Sequence, residues 1–108
     1  MSEKTESEIR FKIGLDENKI PESISWMAED SGMKDFDPAK AIMLAVYDEK
    51  SSETLRMDLW TKEMKVDEMK QFFHQTLVSM ADTLQRATNE DELANDIRSY
   101  CRELSKKL

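Results

Sequence analysis

Up to Lys65 the apolar residues of this chain mostly alternate with polar ones in twos, one continuous run at 41 to 47 apart, and beyond it they recur every three or four. A period of two lines one face of a strand, and a period near 3.6 lines one face of a helix. A chain with that single switch is confined to strands first and helices after. The expected class is therefore α+β: an antiparallel sheet of about four strands, followed by two C-terminal amphipathic helices packed on one face.

The first strand reads directly from the alternation of Ile9, Phe11, Ile13 and Leu15. Gly14 and the polar run 16 to 19 punctuate it, and Pro21 opens a shorter segment in which Ile24, Trp26 and Ala28 share one parity. Residues 30 to 38 carry turn chemistry. Residues 39 to 47 are open to two readings, a helix or a strand over 41 to 48. Asp37-Pro38 is a good helix start, and alanine, methionine and leucine favour helix. The run is also short and nearly continuous in apolar character, as a central strand is. The alternation of Leu55, Met57 and Leu59 beyond the polar turn 48 to 53 favours the strand, because a hairpin satisfies its backbone. One helical turn at 38 to 41 is compatible with that reading.

After Lys65, Val66, Met69, Phe73, Leu77, Met80, Leu84 and Ala87 form the stripe of one helix, expected over 66 to 87. Leu93, Ile97, Tyr100, Cys101, Leu104 and Leu108 form a second. Asn89, with Glu92 three residues later, resembles a capping box at the start of that second helix. Residues 1 to 7 read as a disordered N-terminal tail and residues 8 to 108 as a single domain, the size at which one core is built.

Charge narrows the partners. Sixteen basic residues face 23 acidic ones, for a net charge of −7. Such a chain repels nucleic-acid phosphates and anionic lipid headgroups unless it carries a local basic patch. Its densest basic stretch, Arg98, Arg102, Lys106 and Lys107, lies where a helix C-terminus favours cations. Neither nucleic acid nor direct membrane insertion is expected; a protein partner is, with homo-oligomerisation left open. The polar start of the chain does not resemble a signal peptide, and no apolar stretch approaches the roughly 20 residues that span a bilayer. The expected location is cytoplasmic.

Candidate chemistry is sparse. Cys101, the one cysteine, falls in an apolar stripe and reads as a buried small hydrophobe, whereas a reactive thiolate needs an electropositive, partly exposed setting. His74, the one histidine, reads as a boundary residue of its helix. One His and one Cys do not complete a zinc site of the usual ligand count. The loop carboxylates of Asp30, Asp35 and Asp37 miss the calcium-loop spacing, and two isolated glycines do not make a phosphate-cradling loop. No pair of carboxylates stands out among 23 acids. The chain is expected to be no enzyme and to carry no catalytic residue, cofactor or metal.

A partner-binding role then falls to the aromatic residues. Trp60 breaks the Leu55–Met57–Leu59 parity and faces the side of Arg56 and Asp58, where it is either an anchor for a partner or packed under the connection to the first helix. Phe36 in the loop poses the same question more weakly. Trp26 shares the parity of Ile24, which favours the core. Met27, Met33 and Met64 lie off the core stripes and are candidates for an adaptable contact surface.

Three stretches resemble a known family. They are Ile13-Gly14-Leu15-Asp16-Glu17-Asn18-Lys19-Ile20-Pro21; Ala41-Ile42-Met43-Leu44 with Glu53-Thr54-Leu55-Arg56-Met57-Asp58-Leu59-Trp60-Thr61-Lys62; and Val66-Asp67-Glu68-Met69-Lys70-Gln71-Phe72-Phe73-His74-Gln75-Thr76-Leu77. Together they resemble the gliding motility-associated protein GldC family of Bacteroidetes-type bacteria, over most of residues 8 to 88. The resemblance implies a non-enzymatic accessory of gliding machinery, and it contains no catalytic signature to carry over. Two roles follow: a binder of one component of the gliding or envelope secretion apparatus, or a small chaperone-like binder of unfolded or exported chains, similar in outline to the SecB export chaperone.

Overall fold

The computed structural model describes residues 5–108. Of the expected tail, residues 1–4 lie outside the described residues, and residues 5–7 are exposed and without regular structure. The chain divides into two compact units, Met1–Met64 and Lys65–Leu108. The division falls at the change of hydrophobic period.

The first unit holds five strands: β1 (Ile9–Leu15), β2 (Pro21–Ala28), β3 (Asp37–Ala39), β4 (Ala41–Tyr47) and β5 (Thr54–Trp60). β1, β2 and β3 form one antiparallel ladder in that order, and β4 and β5 form a second. Only Lys40 separates β3 from β4, so residues 37–47 run as one strand interrupted at a single position. Its first part pairs with β2 (Ile24 opposite Ala39, Trp26 opposite Asp37) and its second part with β5 (Ala41 opposite Trp60, Tyr47 opposite Thr54). Across the interruption the Thr61 N–H donates to the Lys40 carbonyl at 2.8 Å, which carries the second ladder one residue further.

One expectation fails here. The helical turn at 38 to 41, and the loop reading of 37 to 38, are replaced by β3. Pairing with β2 outweighs the helix-start signal of Asp37-Pro38. A proline is tolerated in so short a strand because at most one ladder bond is lost.

Turn chemistry sets the registers. Asp16 Oδ1 accepts from the N–H groups of Asn18 (2.8 Å) and Ile20 (3.0 Å), closing the β1–β2 turn. The register shifts between Gly14 and Leu15. At Gly14 a Cβ would meet the Ser23 Oγ on the paired strand, so a side chain there would require the Ser23 hydroxyl to turn to another rotamer. Asp48 closes the β4–β5 hairpin: its N–H donates to the Glu53 carbonyl at 2.8 Å, and its Oδ2 accepts from the Ser51 N–H at 2.9 Å.

The second unit is an antiparallel hairpin of α1 (Val66–Thr88) and α2 (Asp91–Ser105). Glu68 caps α1 by accepting from the Lys65 N–H at 2.9 Å. Asn89 does not open α2. It ends α1 in the left-handed conformation (φ 59°), its N–H donating to the Gln85 carbonyl, because asparagine tolerates positive φ where the chain must reverse. Ala81, Ala94 and Cys101 are the buried side chains of the hairpin, and small residues let the two backbones approach closely. Arg98 links the helices by donating to Asp82 Oδ1 (2.7 Å) and Gln85 Oε1 (2.6 Å). No helix among the described residues is long and apolar enough to cross a membrane.

Candidate functional site

Trp60 is 56% exposed at the end of β5. The β4–β5 register places it opposite Ala41, and Asp58 and Arg56 stand opposite Met43 and Ala45 on the same pleat. Arg56 and Asp58 pair at 2.6 Å, so the polar part of this face is internally neutralised. Exposed Tyr47, opposite Thr54, closes the face at its far end. The result is a strip with an aromatic ring at each end and an ion pair between them. It offers a partner large apolar contact area without an uncompensated charge.

The other sequence candidates lie elsewhere. Trp26 is half-buried in the β1–β2 ladder, opposite Phe11. Phe36 is half-buried, with the Lys12 ammonium 4.1 Å from its ring centroid in a cation–π contact. Lys12 pairs with Ser25, so it stands on the opposite face of that ladder from Trp26. Trp26 and Phe36 therefore do not share a face of that ladder. Met27, Met33 and Met64 are each half-buried.

The opposite pleat of the β4–β5 hairpin was not singled out from the sequence. It carries the pairs Ile42–Leu59, Leu44–Met57 and Val46–Leu55, and Val46, Leu55 and Met57 are exposed. The alternation showed that these residues share a face; whether anything covers that face is set by the tertiary arrangement.

Near the foot of the hairpin a cleft of about 300 Å³ is lined by Ser23, Ile24, Ala39, Lys40, Thr61 and the acidic Glu22 and Glu63. Thr61 is buried there, and its hydroxyl has no hydrogen-bond partner among the described residues. Beside it Lys62 pairs with Asp16 at 2.6 Å and ties the β1–β2 turn to the segment after β5. The hydrogen bond from Lys62 holds the Asp16 carboxyl below the usual carboxylate range, helped by the Ile20 and Asn18 N–H groups; in return Asp16 raises the Lys62 ammonium. A depressed carboxylate adds stability that is present above its unfolded value, about 3.9, and is lost as pH falls through the folded value. Asp16→Asn keeps the Oδ1 acceptor for the turn but not the ion pair. Its expected effect is a flatter acid limb when melting temperature is followed from neutral pH downward, with the two proteins converging at the acid end.

The sequence left His74 and Cys101 apart, and the hairpin brings them together. His74 Nε2–H donates to the Cys101 carbonyl at 3.0 Å, across the α1–α2 seam. The imidazole bonds the backbone and not the thiol, and Cys101 is buried. This contact fixes helix register. Among the described residues no group of three or more His, Cys, Asp or Glu side chains is placed to hold a metal ion.

The chain is thus an α+β protein with strands first and helices last, and its candidate site is an exposed aromatic face on a β-hairpin. The family model described as gliding motility-associated protein GldC-like matches residues 21–108, and the chain belongs to that family. The match includes α2 and leaves out β1, whereas the resemblance in the sequence rested on residues 8 to 88. No curated protein and no solved structure matches the chain. Family membership associates the protein with gliding motility.

Proposed function

We propose that this protein is a non-catalytic accessory of gliding motility that binds a protein component of the gliding or envelope secretion apparatus from the cytoplasmic side. The observation that carries this reading is the exposed Trp60 face of the β4–β5 hairpin, in a chain of the GldC-like family. A net charge of −7 sets the protein against phosphate and anionic lipid, which favours a protein as the partner. Deleting the gene is expected to impair colony spreading while leaving growth rate nearly unchanged. A deletion strain that spreads like its parent on every surface tried would end the reading.

The apolar pleat of the same hairpin favours a second reading, a holdase for unfolded or exporting chains. Exposed Val46, Leu55 and Met57 offer a strip that an extended apolar segment could cover. Binding to a permanently unfolded test protein, with loss on Met57→Asp and retention on Trp60→Ala, separates this role from the first.

A further inference from the structure

The seam between α1 and α2 passes through His74 and Ala81 on one helix and Ala94 and Cys101 on the other. Each of these residues is preceded by a large exposed apolar one: Phe73, Met80, Leu93 and Tyr100. Stepping back one residue turns the side chain about 100° around a helix, with the same hand in both. Because the helices are antiparallel, the two rotations bring all four side chains to the same side of the hairpin. Leu77, Leu84, Ile97 and Leu104 are half-buried between them and the seam. The hairpin therefore has two apolar surfaces, a seam that is filled and a broad face that is not.

The size of that face fits an interface. Phe73, Met80 and Leu93 are each half exposed, Tyr100 is 60% exposed, and Val66, one heptad before Phe73, is 72% exposed. At roughly 100 Å² for each such side chain, these five present about 500 Å² of apolar surface. The largest patch on a typical monomer is about 300–600 Å², and a stable interface takes about 800 Å² from each partner. The five apolar side chains alone thus supply more than half of that area, and the rest falls to the half-buried residues and the polar rim.

Charge says what covers it. The loop end of the hairpin carries Glu90, Asp91 and Glu92, with Arg86 as counter-charge, while Asp82 is already paired with Arg98 on the far side of the seam. The open end, where α2 stops beside the start of α1, gathers Lys65, Lys70, Lys106 and Lys107, while Arg102, one residue past Cys101, turns to the far side. Asp67, Glu68 and Glu103 leave that end net positive. A surface with opposite charge at its two ends complements itself when a second copy is laid over it head to tail. A two-fold axis through the centre of the face does this and closes the assembly at two copies.

We propose that this hairpin face docks a second copy of the chain, antiparallel about a two-fold axis, so that two hairpins complete a four-helix bundle. The proposal rests on the second unit alone and does not depend on what the Trp60 strip binds.

Sedimentation velocity of the full chain across the micromolar range tests it. The expected species has the mass of two 12.6 kDa chains. Phe73→Glu and Tyr100→Lys, made separately, are each expected to weaken dimerisation at least tenfold, with helical circular dichroism retained in the variant that is scored. Lys106→Glu with Lys107→Glu leaves the apolar face intact and is expected to weaken the dimer as well, because like charges then meet across the two-fold. A wild-type chain that stays monomeric throughout overturns the proposal, and with it any need for a second copy over this face. A dimer indifferent to both apolar variants overturns it too. A dimer lost with Phe73→Glu but untouched by the lysine reversals overturns the head-to-tail arrangement.

Discussion

Replacing Ile24 with alanine is expected to lower the unfolding free energy by about 2–5 kcal/mol, the range for truncating a buried aliphatic side chain and leaving a cavity. Ile24 is 2% exposed and is the one large aliphatic side chain buried among the described residues. It lies on β2, opposite Ile13 on one side and Ala39 on the other, where both neighbouring strands meet it. Against a total stability of about 5–15 kcal/mol, such a loss is a large share. Urea denaturation followed by tryptophan fluorescence measures it, since Trp26 sits two residues away on the same strand. A midpoint that hardly moves would show that the core of the first unit is not centred on this position.

Trp60→Ala is expected to do the opposite: leave the melting temperature nearly unchanged and impair spreading almost as far as deletion. A tryptophan in a core costs about 3–5 kcal/mol when truncated to alanine. One that is 56% exposed has little packing to lose. Its neighbours on the pleat, Arg56 and Asp58, already satisfy each other and do not depend on the ring. If Trp60 anchors a partner, its loss costs about 2 kcal/mol or more of binding, roughly thirtyfold in affinity. A variant that melts and spreads like the parent would remove Trp60 from the proposed interface.

Much of this fold is legible in the sequence because it rests on local periodicity. The alternations ending at Leu15 and Trp60 and the run from Ala41 mark three strands, and the helix expected over 66 to 87 is observed over Val66–Thr88. The expected hairpin across 48 to 53 is present. Parity told which face Trp60 takes, opposite to that of Leu55, Met57 and Leu59, but not its exposure, since Leu55 and Met57 on the other pleat are exposed as well. Decisions made by distant neighbours were not legible. Asp37-Pro38 is a sound local helix start, and only the presence of β2 turns it into a strand. Asn89 and Glu92 have capping-box spacing, but the chain reverses at Asn89 and uses it to end the preceding helix. The stripe through Phe73 and Met80 is the most apolar line on α1, yet the seam runs one residue further round, through His74 and Ala81. Sequence shows which face of a helix is greasy; it does not show which face its neighbour chooses.

The interruption at Lys40 has a consequence for exchange with solvent. The strand from Asp37 to Tyr47 pairs with two different neighbours, and the backbone bond from Thr61 N–H to the Lys40 carbonyl lies at the change of partner. Opening β5 leaves the β1–β2–β3 bonds intact, and unzipping β1 does not disturb the hairpin. Amide protons on the two sides of Lys40 then belong to separate cooperative openings with their own free energies. In deuterium oxide the amides of β5 and those of β2 would fall into two isotherms under mild denaturant and merge only at global unfolding.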